Sequence, residues 1–263
     1  VNNVPMRIKT TLVDVNGEHF TEATSTVTLT DHVAYKNLDT DKTYTLTGTL
    51  YVKDGDALTE MMTETVDFQP TETSGTQDVT FTFDASELVG KSVVAFEELS
   101  VNGEFCAEHK DKDDENQTVT FPGIQTTARD NVTEDHVSNA TDSITIVDTV
   151  AYTGLKKGDT YTVTGTLMDA ETGEAALDDD GNAITASKEF TAPSTDENID
   201  ITFTFAGVSL AGKTLVAFED ISYEGRRYAV HADINDKNQT VYIPKIHTKA
   251  LDANTGLNQV LAD

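Results

Sequence analysis

The chain repeats itself, and no other feature of the sequence restricts its fold as strongly. HKDKDDENQTVTFPGI, from His109, is answered by HADINDKNQTVYIPKI, from His231. Upstream, IKTTLVD from Ile8 pairs with IQTTARD from Ile124, and TDHVAY pairs with VDTVAY, which carry Asp31 and Asp148. YTLTGTL from Tyr44 matches YTVTGTL from Tyr161, and VVAFEEL matches LVAFEDI, carrying Glu97 and Glu219. A unit of roughly 120 residues, the size of one domain, therefore occurs twice. An internal period of this kind sets the architecture before any local propensity is considered. Polar residues that recur at matched places in otherwise diverged copies are the candidates for function.

Within each copy, short runs alternate threonine with valine, leucine, tyrosine or phenylalanine. Thr24–Thr30, Thr43–Val52, Asp78–Asp84 and Lys91–Leu99 read as period-two strands with one buried face, and the second copy repeats all four. VNGE at Val101–Glu104 and DDDGN at Asp178–Asn182 supply turn chemistry. Only ASELVGK and GVSLAGK, ahead of the two AFE runs, suggest a helical turn. Many short strands with frequent turns predict an all-β fold, a tandem pair of immunoglobulin-like β-sandwiches. The Cys–Trp–Cys pattern of antibody domains is absent, since the chain has no tryptophan. The first domain is expected over residues 1–122 and the second over 123–244, with FPGIQTT as the junction. YIPKIHTKALD repeats that junction, so Ile246–Asp252 reads as the opening strand of a third copy, and 245–263 as a mobile overhang of it. Two-residue junctions favour abutting domains in a rod.

Composition narrows the partners. A net charge of −28, from 46 acidic and 18 basic residues, excludes a nucleic-acid partner, whose phosphates need lysine and arginine. It equally disfavours anionic lipid surfaces, and no run approaches the ~18 apolar residues of a membrane span. The single cysteine, Cys106, precludes a disulfide within the chain; Tyr228 stands at its place in the second copy, which points to packing. Val1 begins without the basic and apolar regions of a signal peptide, so the chain reads as a segment of something longer.

Five polar positions match between the copies. In the opening strand, residues two apart share a face, so Thr10 lies with Ile8 and Leu12, and Thr126 with Ile124 and Ala128; both hydroxyls face inward. Thr248 occupies the same column of the third opening, beside Lys249. Gln117 and Gln239 precede the last alternating run of each copy, His109 and His231 stand upstream of them, and Asp31 with Glu97, or Asp148 with Glu219, complete the set. A buried hydroxyl, an imidazole and two carboxyls are the parts of an activated nucleophile. No Gly-rich elbow or oxyanion loop marks a substrate pocket, so the electrophile is expected inside the protein, as the glutamine carboxamide.

This pattern resembles the ester-bond-forming, immunoglobulin-like V-A-F-E repeat domains of Gram-positive surface adhesins, over residues 8–121 and 124–243. The resemblance implies autocatalytic side-chain esters, Thr10–Gln117 and Thr126–Gln239, formed with loss of ammonia. It implies His109, Asp31 and Glu97 as helpers in the first domain, and His231, Asp148 and Glu219 in the second. It further implies a monomeric stalk segment on the bacterial cell wall, partnered by neighbouring repeats, with the host ligand bound elsewhere in the parent. No cofactor and no metal are expected, and no turnover beyond the single self-reaction. Chemically, imidazole suits the base near neutrality, with Asp31 fixing the ring and balancing its charge. Glu97, on an apolar strand near a second carboxyl, is placed for a raised pKa and a hydrogen bond to the glutamine carbonyl. Either carboxyl can keep the proton at this level of reading.

Rival readings are weaker. DKDDENQ and DINDKNQ look like calcium loops but lack the glycine and terminal glutamate of an EF-hand. N-Q-T at Asn116 and Asn238 forms a glycosylation sequon. A lysine–asparagine isopeptide domain needs lysine where the inward column has threonine. A hydrolase needs an open cleft at Thr10 or Thr126, and a ligand-binding adhesin module an exposed apolar patch. His19, His32, His136 and His247 have no matched role and read as surface or packing residues.

Overall fold

The computed structural model describes residues 4–251, and these form two β-sandwiches in series. The first contains β1 (Arg7–Lys9), β2 (Leu12–Asp14), β3 (Val27–Lys36), β4 (Tyr44–Asp54), β5 (Ala57–Phe68), β6 (Ser74–Phe83), β7 (Ser92–Val101), β8 (Glu104–His109) and β9 (Thr118–Thr120). The second contains β10 (Gly123–Asp130), β11 (Ile144–Thr153), β12 (Thr160–Asp169), β13 (Thr185–Thr191), β14 (Glu197–Phe205), β15 (Thr214–Tyr223), β16 (Arg226–His231) and β17 (Thr240–Tyr242). The expected helical turns are single 3-10 turns at Ser86–Leu88 and Val208–Leu210.

In the first sandwich one sheet has β1 and β2 end to end on one edge of β3, with β6 on the other. The facing sheet runs β5-β4-β7, and β8 and β9 share the far edge of β7 end to end. Alternation decides which side chains meet: Val27, Leu29, Asp31, Val33 and Tyr35 of β3 are buried, while their neighbours are half-buried or exposed. Leu29 and Phe81 of one sheet and Leu46, Leu50 and Val93 of the other share one core. The second sandwich repeats the plan, with β10-β11-β14 facing β13-β12-β15 and with β16 and β17 sharing the far edge of β15.

Each opening segment leaves its first sheet and joins the second, as Phe20 bridges Thr120 in parallel and Val137 bridges Tyr242. His19 and His136, unmatched in the sequence, hold the same place here: their carbonyls accept from the N–H groups of Thr120 (2.9 Å) and Tyr242 (2.7 Å). The loop before them is one residue longer in the second copy, which hides the match. At the junction Phe20 packs against the second core, and Arg227 pairs with Glu22 at 2.9 Å and Arg226 with Glu18 at 3.4 Å.

The expected third opening strand is not formed. Ile246–Leu251 carries no strand and its side chains, Thr248 included, are exposed. A lone strand has no sheet edge to pair with and no core to face. Residue 252 and the rest of the overhang, to 263, lie outside the described residues.

Candidate cross-link site

The matched residues of each copy gather in the middle of its sandwich, but only in the first does the imidazole contact the threonine; the Thr126 hydroxyl donates to Glu219 and His231 contacts Asp236. Thr10 falls in the break between β1 and β2, and Gln117 in the facing break between β8 and β9. Gln117 ends a 3-10 turn over Glu115–Gln117 that returns the chain from β8 to the edge of β7. There its Nε2 donates to the carbonyl of Ala95 at 2.7 Å, where neither β8 nor β9 pairs with β7. The same nitrogen lies 2.9 Å from Thr10 Oγ1 and donates to the carbonyl of His109 at 3.3 Å. Both side chains are fully buried.

His109 ends β8 directly across from Glu97 on β7, and His231 ends β16 across from Glu219 on β15, so strand register sets each imidazole beside its glutamate. His109 Nδ1 lies 3.3 Å from Thr10 Oγ1 and accepts the Thr10 backbone N–H at 3.2 Å. The N–H of Asp111 points at Gln117 Oε1 from 3.4 Å, on the side where a tetrahedral intermediate would gather charge. In the second domain Gln239 Nε2 lies 2.7 Å from Thr126 Oγ1, and both groups contact Glu219 Oε2, at 2.6 and 2.9 Å.

Asp31 comes from the centre of one sheet and Glu97 from the other, and both are buried without exposure. Gly48 makes the room: it is the cross-strand partner of Glu97, and a Cβ there would collide with the Glu97 carboxyl and the Phe81 ring. If both carboxyls were ionised, none of their four oxygens would have a hydrogen-bond partner, a heavy cost in a core. One shared proton joins the two carboxyls by a hydrogen bond and removes one of the two buried charges. Burial, reinforced by the charge of Asp31, pushes Glu97 up to about 10, and burial raises Asp31 to about 6 against the hydrogen bond from Glu97. Glu219 is likewise pushed up to about 10 by burial and by Asp148, whose own value is raised by burial. The glutamate therefore keeps the proton near neutrality, and the aspartate receives its hydrogen bond.

The expected partnership of Asp31 with the imidazole differs from the geometry. Asp31 and Asp148 face their glutamates, whereas His109 Nε2 lies 3.5 Å from Asp114 Oδ2 and His231 Nε2 lies 2.9 Å from Asp236 Oδ2. The sequence did contain a signal, since both copies read H-x-D-x-x-D-x-N-Q. A calcium-like appearance absorbed those aspartates. Among the described residues no cluster fit for a metal occurs.

A buried alcohol against a buried carboxamide, with imidazole and a protonated acid beside them, is arranged for acyl transfer within the chain. A family profile described as the T-Q ester bond containing domain matches residues 6–121 and again residues 122–243. No curated protein has significant sequence similarity to the chain. Among solved structures, a bacterial adhesin from Mobiluncus mulieris, described as containing intramolecular disulfide, isopeptide and ester bond cross-links, is similar at 14% identity and a TM-score of 0.42. That similarity covers 84% of this chain and 82% of the adhesin's. Red sea bream transglutaminase is similar at 12% identity and a TM-score of 0.29, over 92% of this chain and 32% of its own. Since the profile accounts for both sandwiches almost end to end, the chain belongs to the T-Q ester bond containing domain family, with two members in tandem.

Proposed function

We propose that each sandwich ties its own ends together, by an ester between Thr10 and Gln117 in residues 1–122 and between Thr126 and Gln239 in residues 123–244. The observation that carries this reading is the approach of each carboxamide to its threonine, 2.9 and 2.7 Å in a dry core. The threonine oxygen bonds Gln Cδ while its proton passes to the histidine. The Cδ–Nε2 bond then breaks, and the returning proton leaves with nitrogen as ammonia. One alcohol and one primary amide become one ester and one ammonia. Protonated Glu97 and Glu219 act as neutral hydrogen-bond donors, with Asp31 and Asp148 as the acceptors that hold them. Prepositioned reactants supply roughly 7–11 kcal/mol of barrier reduction, and exclusion of water protects the product. A hydroxyl with no exposure, as at Thr10, suits self-reaction and bars an external substrate, so the chemistry is a single turnover and not enzymatic catalysis.

The biological reading is a stalk segment of a cell-surface adhesin, extracellular and attached to the wall of a Gram-positive bacterium. The adhesin with ester cross-links among the similar structures supports it. The segment works as a monomer whose partners are neighbouring repeats, with residues 245–263 opening the next one and the host ligand bound elsewhere in the parent. Intact mass tests the chemistry: the wild type should weigh about 34 Da less than its sequence, two ammonia molecules. Thr10→Ala and Gln239→Ala should each restore about 17 Da, beyond the mass of the substitution itself. A wild type at its full sequence mass would refute the proposal.

A further inference from the structure

We infer that Asp114 and Asp236 are positioning residues that set His109 and His231 in the tautomer able to take the threonine proton, an inference that rests on the Thr–Gln reading above. Two independent contacts around His109 lead to it. The backbone N–H of Thr10 points at Nδ1 from 3.2 Å, and a backbone N–H can only donate. Nδ1 therefore presents its lone pair, and the ring proton sits on Nε2. That nitrogen faces Asp114 Oδ2 at 3.5 Å, and its counterpart in His231 faces Asp236 Oδ2 at 2.9 Å. A carboxylate on the far nitrogen fixes the tautomer and stabilises the imidazolium once the ring is protonated.

The same aspartate also places the electrophile. Asp114 Oδ1 accepts from the Asn116 N–H at 2.9 Å, and its carbonyl accepts from the Gln117 N–H at 3.0 Å and the Thr118 hydroxyl at 3.0 Å. Asp236 repeats all three contacts with Asn238, Gln239 and Thr240, at 2.8, 3.3 and 2.6 Å. One residue thus couples the turn that presents the carboxamide to the ring that serves the hydroxyl. No carboxyl of either buried pair lies within hydrogen-bond distance of a ring nitrogen, although Glu219 Oε2 accepts the Thr126 hydroxyl at 2.9 Å. In the reaction the threonine proton moves to Nδ1 and then to the departing nitrogen, while Nε2–H stays on the aspartate throughout.

Asp114→Asn and Asp236→Asn test the assignment. The amide oxygen keeps the Asn116 or Asn238 N–H, so the new NH2 faces Nε2 and drives the ring proton onto Nδ1. Protein made by cell-free synthesis, quenched at intervals and digested, reports each cross-linked peptide pair by mass. Asp114→Asn should slow the first ester by about 10²–10⁴-fold, the worth of a general base, and leave the second at the wild-type rate; Asp236→Asn should do the reverse. Cross-linking at the wild-type rate in both variants overturns the proposal. A second readout does not depend on the reaction or on the folding of those variants. In Thr10→Ala, which cannot form the first ester, ring ¹⁵N shifts should place the His109 proton on Nε2; a proton on Nδ1 overturns the assignment. A wild type that retains both ammonia masses would instead refute the Thr–Gln reading itself, and the ring shifts would still decide the tautomer.

Discussion

Thr10→Val removes the proposed nucleophile while keeping the shape of the side chain. Its cost in the folded state is small, because no polar atom is left alone. Gln117 Nε2 still donates to Ala95 and His109 carbonyls, and His109 Nδ1 still accepts the residue-10 N–H. The two lost hydrogen bonds of Thr10 Oγ1, with Gln117 Nε2 and His109 Nδ1, are worth about 2 kcal/mol together. The unfolded state changes much more. The cross-link closes a ring between residues 107 positions apart, and by the chain-entropy relation such a ring is worth about 4.8 kcal/mol at 25 °C. A domain of about 120 residues has an unfolding entropy near 0.25 kcal/mol/K, so losing the ring lowers its melting point by about 19 °C, whereas the two hydrogen bonds alone lower it by about 8 °C. Calorimetry should show the first domain's transition moved by the larger amount and the second domain's unmoved. Intact mass should show a protein about 15 Da heavier than wild type, the retained ammonia less the difference between the side chains. Thr10→Ser, which keeps a hydroxyl, should stay near the wild-type transition. A shift no larger than about 8 °C in Thr10→Val would refute ring closure as the source of stability.

In the uncross-linked Thr10→Val protein the buried acids impose a pH dependence. Glu97 rises from its ordinary 4.5 to about 10 and Asp31 from 3.8 to about 6, so the folded state binds more protons than the unfolded. The stability they contribute is fully present below the unfolded values and is lost as pH climbs toward the folded ones. Urea titrations from pH 5 to 9 should show stability falling by up to about 1.4 kcal/mol per pH unit per proton, and Glu97→Gln, which keeps a donor but cannot ionise, should remove the Glu97 part of the slope. Gly48→Ala should cost about 1–3 kcal/mol by overpacking and should slow the first ester, because its Cβ occupies the place of the Glu97 carboxyl; normal cross-linking in that variant, read by mass, would show that the carboxyl position is not critical. Arg227→Glu puts a like charge against Glu22 at the junction. Because Arg227 is half exposed, each domain's transition should move little, while small-angle scattering at low salt should show a looser pair of domains.

The framework of this fold was legible because β-alternation is strict where one face is buried. Thr43–Val52 and Lys91–Leu99 were readable as β4 and β7, and the inward column placed Thr10 and Thr126 in the core. Strand β5 escaped notice: ALTEMMTETVDF is an outer strand, exposed or half-buried along its whole length, and shows no clean period. The 3-10 turn that presents each glutamine is too short to leave a helical period. Asp31 and Glu97 were recognisable by recurrence, but their pairing is a contact across the two sheets, which no local pattern encodes. Asp114 and Asp236 recurred just as visibly; their role depends on which ring nitrogen they face, and only the folded turn decides that.

The placement of the two proposed esters also determines what force can reach. Tension entering at the start of the first domain crosses from Thr10 to Gln117, runs along the chain to Thr126, and crosses again to Gln239. The 107 and 113 positions enclosed by the two rings are bypassed, and with them both cores and all the long central strands. Only β1, β9, the first half of β10 and β17 remain in series. They are held by β3 through Ala34–Lys36, by β7 through Ser92–Val94, by β11 through Val150–Thr153 and by β15 through Thr214–Val216. Peeling all of them away frees at most about 50 Å of chain, whereas a single unlinked domain would release about 360 Å at ~3.4 Å per residue. Each threonine lies in the opening edge segment of one sheet, Thr10 between β1 and β2 and Thr126 within β10, and each glutamine at the last break of the other. A bond between them shields almost the whole domain, and a bond between any residues further inside would shield less.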